Sequence, residues 1–227
     1  WKLAYFDEGG IVFVGSDCKI EPIIKKLNPG NYSKPNKILA LLSYANFFFF
    51  TEQYQKAQSY YAAVLKLDPD FPETYINLAA SFFAQGKFRD AEMCYRMAIR
   101  KSKKYAEPFY GLATLYLKKG DYNAAVEILG FALRKKPIFP EAQFLLCYIY
   151  LRTGNYDGAI EICREMISRT SDDETLYNML GTAYFQKGNL KEALEQFEKA
   201  ISINPEYAEA KQNYQACLDK MNEGREK

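Results

Sequence analysis

The sequence predicts an all-α fold of stacked helical hairpins, and three periodic columns of residues carry that prediction. Alanine recurs at Ala57, Ala91, Ala125, Ala159 and Ala193, each step being 34 residues with no insertion or deletion. Aromatic residues keep the same register at Phe48, Phe82, Tyr116, Tyr150 and Tyr184, and small ones at Ala45, Ala79, Ala113, Cys147 and Gly181. Glycine marks the middle of four units, at Gly86, Gly120, Gly154 and Gly188. A period of this length is the mark of a repeat architecture. Each unit reads as two amphipathic helices of about a dozen residues joined at the glycine. A lone hairpin of this kind cannot bury its own apolar faces, so successive hairpins must stack into a solenoid.

Residues 1–37 stand outside the period. WKLAYF and IVFVG flank DEGG, which predicts a β-hairpin turned by the glycines. A short helix over Ile20–Leu27 follows, stopped by Asn28, Pro29 and Gly30. The five units then run 38–71, 72–105, 106–139, 140–173 and 174–207. Pro69, Pro137 and Pro205 close the first, third and fifth, because proline cannot extend a helix. Lys103 and Ser171 hold that position in the other two and predict less abrupt joints. Glu52 stands where the first unit needs its turn glycine, which predicts a longer or strained turn. Residues 208–221 begin like a sixth first helix, and their polar Glu209, Lys211 and Gln212 suit a solubilising cap. Residues 222–227 read as a frayed tail.

With these columns in place, the chain resembles the tetratricopeptide repeat family, whose unit is also 34 residues. The last unit matches best, with Tyr177, Leu180, Gly181, Tyr184, Ala193, Phe197, Ala200 and Pro205 all in the family's positions. The resemblance implies a right-handed superhelical solenoid of five helix-turn-helix repeats with a C-terminal capping helix. It also implies that first helices line a concave groove for a peptide or helix of a partner. Carried over by register, the lining is Leu39, Leu42, Asn46, Phe49 and Phe50, then Ile76 and Phe83, then Tyr110 and Leu117. Phe144, Tyr148 and Leu151 continue it, and Phe185 ends it. The family's carboxylate clamp for chaperone tails is not reproduced. Leu42, Asn46, Asn77, Glu107 and Gly111 occupy its positions, only the asparagines agree, and Glu107 has the wrong sign for a carboxylate.

Composition narrows the function further. The chain has 227 residues, a formal net charge of +2 and 48% hydrophobic residues, enough for a sizeable core but no global pull on nucleic acid. It has no histidine, which removes the commonest general base and transition-metal ligand. No phosphate loop, nucleophile elbow or metal-ligand spacing is present, so no catalytic residue, cofactor or metal is assigned. The five cysteines, Cys18, Cys94, Cys147, Cys163 and Cys217, show no CxxC pair and read as small core residues plus one loop thiol, not a disulfide framework. The apolar run Ile38–Phe50 would make a helix of about 20 Å at 1.5 Å per residue, too short to span a bilayer.

Two clusters of bases, Arg100, Lys101, Lys103 and Lys104, then Arg134, Lys135 and Lys136, end the second and third units. Cations at helix C-termini are the simplest account of them; an acidic partner is the functional one. Glu73, Glu107, Glu141 and Glu209 sit correspondingly at the starts of first helices. Nucleic acid is not expected, since no stacking aromatics alternate with the lysines.

The expected function is a non-catalytic scaffold or assembly factor that holds an amphipathic helix or an extended apolar peptide of another protein, with self-association as the alternative use of the same row. A second reading makes the chain the regulatory or targeting arm of a larger protein. The chain opens on Trp1, not Met, and further sequence is expected upstream. A cytoplasmic location is expected, with a bacterial envelope or a membrane tether if the upstream part carries an anchor. The run Phe47–Phe50 condenses these expectations, because four consecutive helical residues span about 300° and cannot share a face. Phe48 is expected in the core, Phe49 and Phe50 on the partner side, and Phe47 under a cap made by residues 1–37.

Overall fold

The computed structural model describes residues 2–7, 10–14 and 33–223. The expected helix over Ile20–Leu27 and the last four residues of the expected tail lie outside the described residues. Strands β1 (Lys2–Asp7) and β2 (Gly10–Val14) pair antiparallel, from Lys2 opposite Val14 to Asp7 opposite Gly10, with a register shift between Leu3 and Tyr5. Among the described residues, everything regular after them is helical. The chain folds as two compact units, Trp1–Leu115 and Tyr116–Lys227.

In the first unit, helices α1 (Lys34–Phe50), α2 (Tyr54–Leu67), α3 (Pro72–Ala84) and α4 (Phe88–Lys101) form two hairpins, and α5 (Glu107–Lys118) begins the third repeat. Helix α1 starts ahead of the first repeat because Pro35 lies in its first turn, where its fixed φ suits a helix and its missing N–H costs nothing. The core between α1 and α2 holds Tyr44, Ala45, Phe48, Ala57 and Tyr61. Phe48 stacks on Tyr60, ring centroids 5.4 Å apart and planes 13° off parallel. Ala57, Ala79 and Ala91 are fully buried, so the small columns mark where helices approach closely.

The second unit contains α6 (Tyr122–Lys135), α7 (Pro140–Thr153), α8 (Tyr156–Ile167), α9 (Glu174–Lys187), α10 (Leu190–Ile203) and α11 (Ala208–Glu223). Its core includes Ala159, Ile160, Leu180, Ala183, Tyr184, Ala193 and Phe197, closed by Cys217 of α11. Gly181 is needed here for space: a Cβ at that position would stand 2.6 Å from the Phe197 ring. The last helix reaches Glu223, so residues 222 and 223 continue the helix past the expected cap boundary.

One turn geometry repeats through both units. The backbone N–H of Gln53, Lys87, Asp121, Asn155 and Asn189 donates to the carbonyl of the aromatic-column residue five positions earlier, at 2.8–2.9 Å. This is the longer bond of the Schellman closure, which needs a left-handed residue just before the donor. Glycine supplies it four times, at φ 71, 79, 82 and 84°, and Glu52 supplies it once at φ 59°. The first turn is therefore no longer than the others; the substitution appears as backbone strain, not as added length. The joints between repeats do vary. Those with a closing proline span 68–71, 136–139 and 204–207, four residues each, whereas those without it span 102–106 and 168–173.

Candidate partner-binding surfaces

Helix α1 carries Leu39, Leu42, Asn46, Phe49 and Phe50 at helical spacing along one stripe. Leu39 is 51% exposed and Phe50 81%, while Leu42, Asn46 and Phe49 are half-buried. The Phe49 ring meets Phe50 edge-on at 5.6 Å and Tyr54 at 5.8 Å, so it supports the exposed ring from beneath. Asn46 Oδ1 accepts from Tyr61 Oη at 2.7 Å and from Asn77 Nδ2 at 3.4 Å, which ties α1 to α2 and α3. Burial pushes the Tyr61 hydroxyl well above its usual pKa, so it stays a donor. Ile76 and Phe83 on α3 and Tyr110 on α5 are half-buried, and Phe83 leans on Phe88 with centroids 5.5 Å apart.

The remaining lining residues belong to the second unit. Leu117, Phe144 and Leu151 are half-buried and Tyr148 is 46% exposed. Phe185 is half-buried, with Lys220 of α11 lying 4.6 Å from its ring centroid. Beside it, Asn178 is 2% exposed and bonds Tyr207, Glu209 and Asn213. Helix α11 thus lies along this end of the row. Phe48 is buried, as expected of its column. Phe47 is half-buried against Phe48, and its register mates Ser81, Leu115, Ile149 and Ala183 are fully or almost fully buried.

The basic residues split into paired and solvent-facing ones. Lys101 Nζ reaches Asp70 Oδ1 at 2.5 Å, a hydrogen bond that raises the ammonium pKa. Arg134 stacks 4.3 Å from the Phe131 centroid and Lys136 4.4 Å from that of Phe139. Arg100, Lys103, Lys104 and Lys135 are exposed. Arg100 and Lys101 end α4 and Arg134 and Lys135 end α6, where positive charge complements the helix dipole.

Two features escaped sequence reasoning. The outer face of α4 surrounds an open hollow of about 270 Å³ lined by Arg89, Glu92, Met93, Arg96, Met97 and Arg100. Met93 is 60% exposed where the other repeats place Ser59, Glu127, Glu161 and Glu195, so a column comparison on the outer face would have revealed it. The second is a sulfur pair, Cys147 on α7 and Cys163 on α8, with Sγ atoms 3.0 Å apart. Sixteen residues separate residues that face each other across a hairpin, and applying that spacing to the cysteines would have found it. Among the described residues, no group of side chains could hold a metal ion and no helix is long and apolar enough to cross a membrane.

Three family models described as tetratricopeptide repeat match residues 51–107, 110–174 and 175–207. No curated protein matches the chain. Among solved structures, that of MamA protein is similar with a TM-score of 0.65 and 25% identity, over 75% of this chain and 93% of that one. YrrB, described as a TPR protein with an unusual peptide-binding site, reaches 0.65 at 20% identity over 85% of this chain and 95% of its own. The complex of Naa15 and Naa10 bound to HypK-THB contains a similar chain, with a TM-score of 0.60 and 19% identity over 82% of this chain and 32% of that one.

Proposed function

The chain belongs to the tetratricopeptide repeat family, and from that premise we propose that it is a non-catalytic protein-interaction scaffold whose α1 stripe receives an apolar segment of another protein. The observation that carries the reading is the exposure of Phe50, 81%, next to Leu39 at 51%, on a helix whose other rings are held in place from below. Covering a side chain of that size is worth roughly 1.5–3 kcal/mol, and nothing in the repeat's own packing calls for a phenylalanine there. Asn46 within the stripe and Asn77 bonded to it can hydrogen-bond a partner's backbone. The peptide-binding and complex-forming neighbours support a protein partner in general terms. Ile76, Phe83 and Tyr110 extend the surface within the same unit, while Leu117, Phe144, Tyr148, Leu151 and Phe185 make a separate candidate row in the other.

A photoreactive benzoylphenylalanine at position 50 tests this in the native cell. One dominant cross-linked polypeptide is expected, and adding Leu39→Glu should abolish its capture while the far-UV melting curve stays in place. Cross-links scattered over many proteins, or capture indifferent to Leu39→Glu, would refute the reading.

A further inference from the structure

In the small column, each residue faces a partner sixteen positions later across its own hairpin. Ala45 precedes Tyr61, Ala79 precedes Tyr95, Ala113 precedes Leu129 and Gly181 precedes Phe197, so a small residue is matched with a large one. The fourth repeat breaks this pattern with two residues of middle size, Cys147 and Cys163. Both are fully buried. Their sulfurs lie 3.0 Å apart, inside the roughly 3.5–4.0 Å at which even two carbon atoms rest. The remaining capacity of Cys147 goes to the Ala159 carbonyl at 3.7 Å. Cys217, in the same core, directs its sulfur to the Leu190 carbonyl at 3.3 Å, and Cys94 belongs to the other unit.

We propose that Cys147 and Cys163 form an oxidisable dithiol, closed to a disulfide when the chain folds in the presence of a small disulfide such as oxidised glutathione. One protein thiolate attacks the donor, forming a mixed disulfide and releasing one glutathione thiolate. The second protein thiolate attacks the protein-side sulfur and releases the other. The two protein thiols lose two electrons and two protons, and the donor becomes two molecules of reduced glutathione. The product ties α7 to α8 within one hairpin. Because both sulfurs are sealed from solvent, exchange needs the hairpin to open, so the state reached at folding persists. The hydrogen bond to Cys147, followed by burial, pushes the Cys163 thiol far up, which keeps it an unreactive thiol while the hairpin is closed.

The full chain is unfolded and reduced, then refolded in a glutathione redox buffer or in excess dithiothreitol. The expected product of the first arm is lighter by two hydrogens, with one cross-linked peptide joining Cys147 to Cys163. It should melt about 5 °C or more above the reduced arm. Cys217→Ser should leave both results unchanged, and Cys147→Ala with Cys163→Ala should remove the difference between the arms. A chain that keeps both thiols titratable in the glutathione arm overturns the proposal. So does a bond that forms to Cys94 or Cys217 instead, or an oxidised chain that melts below the reduced one.

Discussion

The first hairpin, α1–α2, and the last, α9–α10, are built on one register and finished in opposite ways. The last is closed at every point: Asp173 accepts from the backbone N–H of Thr175 and Leu176 at 2.9 and 3.2 Å, Gly188 makes the left-handed turn, and α11 lies over Phe185 and Asn178. The first has no side-chain cap bond at Ser33, a glutamate in the left-handed position, and a phenylalanine in water at its end. The columns that hold two helices together are common to both, while capping, turn chemistry and outward residues differ. Capping and outward exposure are thus set by different residues from those that hold the repeat together, and the first hairpin is the less capped and the more exposed of the two.

The sharpest contrast is between two phenylalanines. Phe197, 1% exposed, fills the space beside Gly181, and Phe197→Ala should cost about 3–5 kcal/mol in a guanidinium titration. Phe50→Ala should stay within about 0.5 kcal/mol of wild type, although it removes a side chain of the same size. An equal cost for the two would break the distinction between core and exposed rings.

The turns come next. Glu52→Gly should stabilise the chain by about 1 kcal/mol, and Gly188→Glu should destabilise it by about 1–2 kcal/mol, since the same left-handed geometry is being exchanged. If Glu52→Gly proved destabilising, the glutamate would have to hold a role beyond the turn. For the caps, Asp173→Ala should cost about 1 kcal/mol and Ser33→Ala almost nothing, because only the former accepts backbone hydrogen bonds.

The smallest effect is electrostatic. Asn204 Nδ2 donates to Glu174 Oε1 at 3.0 Å and, with the residue's own backbone N–H, holds this carboxyl below its ordinary range. A depressed folded pKa contributes stability that is present above the unfolded value and is lost as pH falls through the folded one. Asn204→Ala should therefore move the Glu174 titration upward by NMR, and the small stability gap between variant and wild type should close in acid.

Much of the architecture was legible because packing of adjacent helices tolerates little variation. Ala57, Ala91, Ala125, Ala159 and Ala193 are all fully buried, so the column that announces the repeat is also the one where any larger side chain would collide. The strain at Glu52 was legible for the same reason, since a missing glycine in a fixed register stands out. The outer face of α4 was not, because exposed positions carry no packing constraint that would make Met93 conspicuous within its own repeat. The Cys147–Cys163 contact was half legible: Cys147 lies in the small column, but the column of Cys163 otherwise holds Tyr61, Tyr95, Leu129 and Phe197 and keeps no one residue type. The closing of the row by α11 depends on Lys220 and Asn213, which lie beyond the last full repeat where the period no longer guides the reading.

The uneven joints between repeats bear on how the chain is degraded. A protease needs several residues of backbone free of helix, and the two joints without proline are the longest, 102–106 and 168–173. The first presents exposed Lys103 and Lys104 to trypsin, while the second ends in acidic Asp172 and Asp173, with its only basic residue, Arg169, bonded to Gln143 and Glu165. Within residues 33–223, limited tryptic digestion should therefore open the chain first between the second and third repeats. Replacing Lys103 by proline, as the first, third and fifth repeats already have it, would remove a cleavage site and shorten the exposed segment together. Cellular half-life would then be adjustable from a position outside both apolar rows.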